Sequence, residues 1–440
     1  MRIQDLDIAC IGFGPANLAL AVQLHKYLDN KQNHQYKVRF LEQKNEFSWH
    51  PNMLLEGSDV QIHYLKDLVT LVDPCSYFSF VNYLKRSGRL LQFMNLKTSF
   101  PCRIEYNDYL CWAASHFTDW VEYNSKVTGI HFVEKKGKAD QIYIEYTDNK
   151  EQKGIYARNV VIAAGQEPYV PQVFQSCVSN RIIHTSNFLS WLEKLPKTDF
   201  SQKVVIIGSG QSAAEVFNTL IDKYPQAKVI NLMRRFGYAP ADESCFNNEV
   251  FNPEFVDYFY NLPENKRSII LNNFQLTNYS AVDVDLIQTI YRKLYELKVQ
   301  HQESKFYIQP HTKVVNFNIV DDGCLLEVEE IFTEVRSKIF CNYIILATGY
   351  CSTSVIQKLL KPMDAYLLKD NKDRIKVKRD YSIETTSNMR AGIYALGYAE
   401  ETHGLTETLI SLLPVRSAQV LESIFRRMSA ANLEYYEELV

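Results

Sequence analysis

Short apolar runs, each followed by glycines and then by apolar residues at helical spacing, occur at two places in this chain. Residues 7–12 are predicted as a buried parallel strand, followed by a helix over about 17–28 and a second strand over 36–42. The same order begins again at residues 204–207, where consecutive apolar side chains precede a glycine turn and a helix. Strand, helix and strand in this order predict α/β units with parallel sheets.

Each unit is completed, much later in the chain, by antiparallel strands and by a strand that ends in small residues. Residues 141–146 and 154–163 are predicted to pair and to lead into Gly165. Residues 323–331 and 335–340 repeat this pattern before an Ala-Thr-Gly strand end. The two units are therefore predicted to share one plan, a nucleotide fold with a β-meander. Small residues at the strand ends let the chain pass close to a bound cofactor.

A stretch of different composition interrupts the second unit. Residues 244–305 are rich in aromatic and amide side chains, and 284–297 have apolar residues at helical spacing, which predicts a helical insertion that binds substrate. The last part of the chain is predicted to return to the first unit and to contain a helix over about 409–427. Two Rossmann-like dinucleotide-binding domains result. The first is predicted to comprise residues 1–200 and 346–440, and the second to comprise 201–345 with the insertion.

Composition narrows the class of protein. The 440 residues exceed one ordinary hydrophobic core, and the formal net charge is −3 with both signs interspersed, so neither a nucleic-acid surface nor a disordered chain is expected. The nine cysteines include no Cys-x-x-Cys pair, which argues against a disulfide framework or a metal site and fits a reducing cytoplasm. No apolar run approaches the ~20 residues that a bilayer requires, and the first strand begins almost at Met1, so neither a transmembrane segment nor a signal peptide is expected.

Both glycine turns match the pattern that binds a dinucleotide. The first glycine of such a turn allows the tight bend, and the second lets the backbone approach a pyrophosphate at the positive end of the following helix. Asn17 and Ala213 occupy the third position, where a glycine normally permits the closest packing of helix on strand. A turn without a ligand is the alternative for one such motif, but two of them predict two nucleotides. The candidate binding residues are Gly12, Gly14, Pro15 and Asn17 in the first turn and Gly208 and Gly210 in the second.

The strand ends that follow the turns indicate which nucleotide each unit binds. Glu42 ends the second strand of the first unit, where a carboxylate can accept hydrogen bonds from a ribose hydroxyl, which favours FAD. The corresponding strand of the second unit, 228–233, ends in Arg234 and Arg235 with no acidic residue. Guanidinium groups suit a 2′-phosphate, which favours NADP over NAD. The alternatives are a solvated glutamate and a solvated pair of arginines.

Further blocks of sequence accompany the two turns. They are Phe-Ser-Trp-His-Pro at 47–51, the segments 64–71 and 79–84, Asn-Glu-Val-Phe at 248–251, Thr-Asn-Tyr-Ser at 277–280, Ala-Thr-Gly-Tyr at 347–350 and Thr-His-Gly-Leu-Thr-Glu-Thr-Leu at 402–409. In this order, over nearly the whole chain, they resemble the flavoprotein N-hydroxylating monooxygenases that oxidise the side-chain amine of ornithine or lysine in siderophore synthesis. The blocks at 248–251 and 402–409 look most like the ornithine-type enzymes.

The resemblance implies an FAD that is reduced by NADPH and then activates O₂ for transfer to a small primary amine. It also implies which residues form the site. For FAD these are Trp49, His50, Gln61, Thr408 and Leu409, for NADPH they are Gln211, Ser212 and Asn278, and for the substrate they are Lys66, Asn248 and Asn278. Gln61 and Asn278 are also the candidates for a direct part in catalysis. One cation and two amides suit the α-carboxylate and α-amine of an amino acid.

The sequence departs from the family pattern beside the expected amine pocket. Val60 stands where a methionine is usual, Tyr64 where a phenylalanine is usual, and His63 lies between them. L-Ornithine is the expected amine, and L-lysine and amines without a carboxylate, such as histamine, putrescine and cadaverine, are the alternatives. An alkyl ammonium must lose its proton to react, and a desolvated wall favours that loss. The aromatic candidates for this wall are Trp49, Tyr64, Phe246 and Tyr279.

Other classes of protein share parts of this plan. A disulfide reductase requires a redox cysteine pair beside the flavin, and a ketone-oxygenating monooxygenase requires a Phe-x-Gly signature. The sequence lacks the first, and residues 184–191 lack the second. A flavin-binding sensor or an NADPH oxidase-like protein is the remaining alternative. Relatives in the family associate with themselves, so a homo-oligomer is expected.

Overall fold

Two sheets built around parallel strands organise the protein, which confirms the α/β class predicted from the sequence. The structure is a computed structural model. It describes residues 5–30, 36–135, 138–149, 151–175, 179–197, 199–242, 244–274, 280–351, 353–386 and 389–437.

The first sheet has seven strands. In sheet order they are Val121–Glu122, Val38–Leu41, Asp5–Ile11, Glu151–Ile162, Lys138–Asp148 and Ser125–Lys135, with Gly392–Ala395 as a further partner of Glu151–Ile162. The strand Glu151–Ile162 serves two purposes. Its second half pairs in parallel with Asp5–Ile11 and Gly392–Ala395, and its first half pairs antiparallel with Lys138–Asp148. The first meander therefore continues directly into the nucleotide fold.

The second sheet has five parallel strands. In sheet order they are Phe306–Gln309, Lys228–Leu232, Lys203–Ile207, Tyr343–Leu346 and Ile182–His184. A separate antiparallel sheet of Thr312–Val320, Gly323–Glu330 and Arg336–Cys341 forms the second meander. The edge strand Ile182–His184 lies earlier in the sequence than residue 200, where the first domain is predicted to end. The chain thus joins the second sheet once before its glycine turn.

Helices cover both sheets and form the insertion. They are Pro15–Asn30, Phe80–Arg86, Leu90–Leu96, Arg103–Ala114, Phe188–Leu192, Gln211–Lys223, Pro253–Tyr260, Glu264–Asn273, Val284–Val299, Thr353–Leu360, Glu400–His403 and Leu413–Glu437. The helix predicted over 284–297 is confirmed. The last helix begins at Leu413, after the 3₁₀ turn Leu405–Thr408, and so later than predicted. None of the helices in the described part of the chain is long and apolar enough to cross a bilayer.

The central strands are apolar at consecutive positions because both of their faces are covered. In Lys203–Ile207, Val204 and Ile206 face one apolar cluster, whereas Val205 faces the cluster on the other side of the sheet. The strand Asp5–Ile11 divides its side chains between two clusters in the same way. Parallel sheets with helices or strands on both faces require such continuous apolar runs. The runs seen in the sequence are thus the middles of two buried sheets.

A short pair of strands connects the two units. Glu167–Pro168 pairs antiparallel with Tyr350–Cys351, and each strand follows the small-residue end of its own unit. The carbonyl oxygen of Gly349 accepts from the N–H of Tyr169 at 2.9 Å and from His184 Nε2 at 3.0 Å. The ends of the two nucleotide folds therefore lie side by side.

Candidate active site

The first glycine of each turn lies against the small-residue strand end of its own unit. Gly12 has φ +84°, and a Cβ atom there would lie 2.4 Å from the carbonyl oxygen of Ala163. Gly208 has φ +148°, and a Cβ atom there would lie 2.3 Å from the carbonyl oxygen of Ala347. Only glycine fits at these two positions. At Gly14 no described residue other than its chain neighbours lies within 4 Å of the corresponding position, so a ligand can reach this part of the backbone.

Asn17 fills the third position of the first turn. Its side chain is fully buried, and its amide nitrogen donates to the carbonyl oxygens of Ile11 at 3.1 Å and Gly12 at 2.7 Å. Its Oδ1 atom has no hydrogen-bond partner among the described residues. Pro15 begins the helix at the position where a missing N–H costs nothing. The free N–H groups at the start of this helix suit a phosphate group. The buried Oδ1 atom suits a hydrogen-bond donor on the same ligand.

Glu42 lies at the end of its strand, beside the first glycine turn, where the sequence predicts it. The carboxylate is buried and accepts from the N–H of Phe13 at 2.6 Å and from the N–H of Lys44 at 2.9 Å. These bonds fix the side chain and leave each oxygen with one lone pair. The carboxylate can therefore accept hydrogen bonds from two hydroxyl groups of a ribose without moving.

The two arginines after the second nucleotide strand differ in their surroundings. Arg234 is exposed, whereas Arg235 is half-buried and donates to the carbonyl oxygen of Ser280 at 3.3 Å. Gly210 also approaches Ser280, because a Cβ atom on the glycine would lie 3.3 Å from its Cα. Gln211 and Ser212 form the first turn of the helix Gln211–Lys223. The half-buried Arg235 therefore lies near the second glycine turn, beside a helix start whose free N–H groups attract an anion.

Trp49 and His50 lie where the two units meet. The N–H of Trp49 donates to Asn107 Oδ1 at 3.1 Å. The ring of His50 is 5.1 Å from the Trp49 ring and 6.3 Å from that of Tyr350, which follows the strand end of the second unit. His50 has φ +47° and begins the 3₁₀ turn Pro51–Met53. The backbone thus turns sharply here, with the Trp49 ring packed against Tyr106 of the first unit and the His50 ring near Tyr350 of the second.

His50 is uncharged at neutral pH. Desolvation by the surrounding protein lowers its pKa to about 4, and the positive charges of Arg103 and Lys44 act in the same direction. The residue is nevertheless accessible to solvent. Its ring lies between those of Trp49 and Tyr350. A neutral imidazole there offers one donor and one acceptor.

A chain of hydrogen bonds joins the residue predicted beside FAD to the residue predicted beside NADPH. Gln61 Nε2 donates to Asp283 Oδ1, and Gln211 Nε2 donates to Asp283 Oδ2 at 2.7 Å. Gln211 Nε2 also donates to Glu215 Oε1 at 3.1 Å, and Arg103 binds both oxygens of Glu215 at 2.7 and 3.0 Å. The Gln211 side chain is therefore directed at Asp283 and Glu215. Only the backbone of Gln211, together with Ser212, therefore remains for a ligand at the start of the helix.

The sequence does not identify the three charged members of this chain of bonds. Glu215 follows the second glycine motif by a few residues, but nothing in the sequence pairs it with Arg103, which is 112 positions away. Asp283 precedes a predicted helix and resembles an ordinary N-cap. Their contacts depend on how the two units pack.

Lys66 and Asn248, which are predicted to bind the substrate, are brought into one region. Asn248 lies in the 3₁₀ turn Asn247–Phe251, and the Lys66 ammonium is 5.9 Å from the centre of the Phe251 ring. Lys66 is half-buried, and desolvation lowers its pKa. In the described part of the chain no carboxylate contributes to this shift. A cation in such surroundings favours binding of an anionic group.

Other members of the predicted site fall elsewhere. Asn278 and Tyr279 lie outside the described residues. Phe246 is 86% exposed, so its prediction as part of a desolvated wall is wrong. Trp49 and Tyr64 are partly buried against the core, and the Tyr64 ring stacks on His63 at 4.6 Å between centroids.

The turn that carries Thr408 and Leu409 is held by a buried ion pair that the sequence did not indicate. Arg416 donates to the carbonyl oxygens of Glu407 at 2.7 Å and Thr406 at 2.5 Å, and its Nε lies 3.3 Å from Glu407 Oε2. Glu407 Oε1 accepts from the N–H of Gly397 at 2.6 Å. The side chains of Arg416 and Glu407 are almost fully buried. Their hydrogen bonds fix the backbone of the turn that carries Thr408.

Metal and disulfide chemistry find no support in the residues that the structure describes. Among them no group of three or more His, Cys, Asp or Glu side chains could hold a metal ion. The described cysteines are all free.

Comparison with known proteins finds similarity to one enzyme family over most of the chain. The family model for L-lysine 6-monooxygenase/L-ornithine 5-monooxygenase matches residues 4–352. An L-ornithine N(5)-oxygenase of Arthrobotrys oligospora is 37% identical over 438 residues, which cover 97% of this chain and 89% of that protein.

Two solved structures share the fold over almost their full length. The ornithine hydroxylase of Pseudomonas aeruginosa superposes with a TM-score of 0.90 at 35% identity and covers 96% of this chain and 100% of its own. The ornithine N-hydroxylase of a Kutzneria species, solved with reduced FAD, NADP⁺ and L-ornithine, has a TM-score of 0.90 at 33% identity with the same coverage.

Proposed function

Because this chain belongs to the L-lysine 6-monooxygenase and L-ornithine 5-monooxygenase family, we propose that it hydroxylates the terminal amine of L-ornithine with FAD, NADPH and O₂. The observation that carries the choice of substrate is the position of Lys66, half-buried beside the turn that bears Asn248. An amino acid supplies the carboxylate that this ammonium group lacks.

The cofactors supply chemistry that side chains cannot. A reduced flavin that reacts with O₂ provides an electrophilic oxygen atom, and NADPH provides the reducing equivalents. The chain must bind the two nucleotides, orient them and exclude water. Gly12, Gly14 and Glu42 suit the first nucleotide, and Gly208 with Arg235 suits the second.

Desolvation serves both halves of the substrate. At the reacting end it favours loss of the ammonium proton, which exposes the lone pair that must attack oxygen. At the other end it strengthens the pairing of Lys66 with the α-carboxylate, because the charges attract more strongly where water is excluded. Such binding returns the pKa of Lys66 upward and holds the amine at one distance from the flavin.

L-Lysine and amines without a carboxylate are the alternatives. Diamines and histamine would leave the Lys66 ammonium unpaired in its half-buried position, which is unfavourable. L-Lysine carries the same α-groups on a side chain longer by one methylene. With the α-groups held in the same place, the terminal amine of L-lysine would extend beyond the position that suits the amine of L-ornithine. A role in siderophore synthesis follows from the ornithine reaction and shares its test.

A panel of amines tests the proposal. The purified protein, supplied with FAD and NADPH, is incubated with L-ornithine, L-lysine, putrescine, cadaverine and histamine, and hydroxylamine product is measured for each. We expect L-ornithine to give the largest kcat/KM. Absence of hydroxylamine from every amine, in protein that binds FAD, refutes the proposed function. A diamine or histamine as the best substrate refutes the choice of an amino acid.

Self-association and a cytoplasmic location are part of the same proposal. Leu91, Met94 and Leu96 are strongly exposed on the helix Leu90–Leu96, and exposed apolar clusters commonly mark contacts between copies. Sedimentation of the wild type and of a Leu91→Ser/Met94→Ser variant measures the oligomeric state. A monomeric wild type contradicts this part of the proposal.

A further inference from the structure

Asp283 occupies the position of a helix cap but does not act as one. It directly precedes the helix Val284–Val299, with φ −57° and ψ 135°, and its side chain makes no capping hydrogen bond. An aspartate at this position normally accepts from the N–H groups of the first helical turn. Here the carboxylate is used elsewhere.

Both oxygens of Asp283 accept from side-chain amides of two other elements. Gln61 Nε2 donates to Oδ1, and Gln211 Nε2 donates to Oδ2 at 2.7 Å. The N–H of Asp283 donates to Gln211 Oε1 at 3.0 Å. The pair formed by Asp283 and Gln211 is therefore a closed ring of two hydrogen bonds, and Gln61 joins it from the first nucleotide unit.

A carboxylate can only accept hydrogen bonds, and this determines how the Gln61 amide is turned. Its NH₂ group must face Asp283, so its carbonyl oxygen is directed to the opposite side. If Asp283 were a group that both donates and accepts, the amide could take either orientation. Among the described residues no partner of Gln61 Oε1 is found, and Gln61 is exposed. The oxygen is thus available as an acceptor between the units.

A second layer of charge holds Gln211 in place. Gln211 Nε2 also contacts Glu215 at 3.1 Å, and Arg103 binds both oxygens of Glu215. The Arg103 and Glu215 side chains are 13% and 5% exposed, and Arg103 Nη1 also donates to the carbonyl oxygen of Met53 at 2.8 Å. Arg103 begins a helix of the first unit, whereas Glu215 belongs to the helix Gln211–Lys223 of the second. The bridge therefore ties the two units together.

We propose that Asp283 is a positioning residue that turns the Gln61 carbonyl oxygen toward the flavin and ties this orientation to the start of the NADPH helix at Gln211. The inference rests on the proposed function and adds a residue to it. Loss of Asp283 frees the Gln61 amide to rotate and loosens Gln211. Reducing equivalents from NADPH are then lost to hydrogen peroxide, while FAD remains bound.

Two substitutions of Asp283 separate this role from helix stability. Asp283→Asn keeps the shape but presents a donor as well as an acceptor. Asp283→Ser is too short to reach either glutamine, yet serine is among the best N-cap residues, so the helix should be at least as stable. The control is Asp285→Asn, which removes one negative charge from the same exposed helix start and touches neither glutamine.

The first measurement is the fraction of consumed NADPH that appears as hydroxylamine, together with the melting temperature. We expect this fraction to fall about tenfold in both Asp283 variants, as for other losses of orientation in an active site, with the melting temperature of Asp283→Ser unchanged or higher. Asp285→Asn should behave as the wild type. An Asp283→Ser protein that couples like the wild type overturns the inference. The inference is also overturned if the variants lose coupling only in proportion to their loss of melting temperature.

The second measurement does not depend on turnover. The Kd for NADP⁺, determined by calorimetry on the FAD-bound protein, should rise in Asp283→Ser and stay constant in Asp285→Asn. A double-variant cycle then tests the route through Gln61, because a residue that acts through another gives a non-additive effect. The double variant Gln61→Ala/Asp283→Ser should convert as large a fraction of the consumed NADPH into hydroxylamine as Gln61→Ala alone. Additive losses refute that route.

The result for the wild type shows whether the proposed function fails or only the role of Asp283. A wild type that makes no hydroxylamine refutes the proposed function and, with it, the role given to Asp283. A wild type that makes hydroxylamine, with an Asp283→Ser variant of unchanged coupling and unchanged NADP⁺ affinity, refutes only the role of Asp283.

Discussion

At the scale of single residues, backbone geometry and burial explain why particular side chains occupy the site. The glycines of the first turn have different tasks. Gly12 is required by its positive φ and by the carbonyl oxygen of Ala163, whereas Gly14 faces open space. This difference follows from the fingerprint and could be predicted from the sequence. The exposed position of Phe246 could not, because an aromatic residue in a helical insertion fits the interior as well as the surface.

The two glycines should therefore respond differently to alanine. Gly12→Ala should lower both the melting temperature and FAD affinity, because its Cβ would collide with backbone. Gly14→Ala should leave the melting temperature of the FAD-free protein unchanged and still weaken FAD binding, because the added methyl group lies where the pyrophosphate must approach. Thermal unfolding and FAD titration measure the two effects. Equal losses of stability contradict this assignment.

Lys66 should distinguish amino acids from diamines. Lys66→Ala removes a charge-assisted hydrogen bond, so KM for L-ornithine should rise about 10- to 100-fold, whereas KM for putrescine should change little. Lys85→Ala, at an exposed lysine of the helix Phe80–Arg86, is the control. Steady-state kinetics with both amines measure the effect. A similar rise for both amines removes the carboxylate-binding role of Lys66.

His403 should make the protein less stable in acid. The ring is 1% exposed and stacks on Tyr381, and desolvation lowers its pKa to about 4. The unfolded chain binds a proton near the ordinary pKa while the folded chain does not, so stability is lost as the pH falls from above 6.5 toward 4. Between pH 7 and pH 5 this loss should be about 2 kcal/mol. Urea unfolding should show a smaller loss over this interval in His403→Asn, and an equal loss contradicts the assignment.

Among the elements, the last helix begins later than its apolar residues alone indicate. The pattern of apolar residues predicts a helix from about residue 409, but the chain first forms the turn Leu405–Thr408, and the helix starts at Leu413. Arg416 binds the carbonyl oxygens of this turn and so holds it apart from the helix. Pro414 is the second residue of this helix and could not lie inside one that began at 409, because it has no N–H to donate. The later start could therefore be predicted from the sequence, whereas the bonds of Arg416 could not.

Breaking the buried ion pair of Arg416 and Glu407 should be costly. Arg416→Met leaves the Glu407 carboxylate buried and uncompensated, and the free energy of unfolding should fall by about 3–5 kcal/mol. The double variant Arg416→Met/Glu407→Gln removes both charges and should recover part of this loss. Urea unfolding of the three proteins measures the difference. A double variant less stable than Arg416→Met contradicts the role of the uncompensated charge.

At the scale of the whole molecule, the two nucleotide folds and their order follow from the sequence, because each has its own apolar runs and glycine turn. The edge strand Ile182–His184 is not evident, since three residues are too short for a pattern. The junction of Gln61, Gln211 and Asp283 joins positions up to 222 apart. Such contacts arise only when the units pack, and they place the residues of the two nucleotide sites against each other.

Isotopic labelling of the product shows whether the protein transfers an oxygen atom from O₂ to the amine. The purified protein is supplied with FAD, NADPH, L-ornithine and isotopically labelled dioxygen, and the product is analysed by mass spectrometry. The account predicts N-hydroxylated ornithine whose added oxygen atom carries the label, formed only when NADPH is present. Oxidation of NADPH without a hydroxylamine, or a product whose oxygen comes from water, would contradict it.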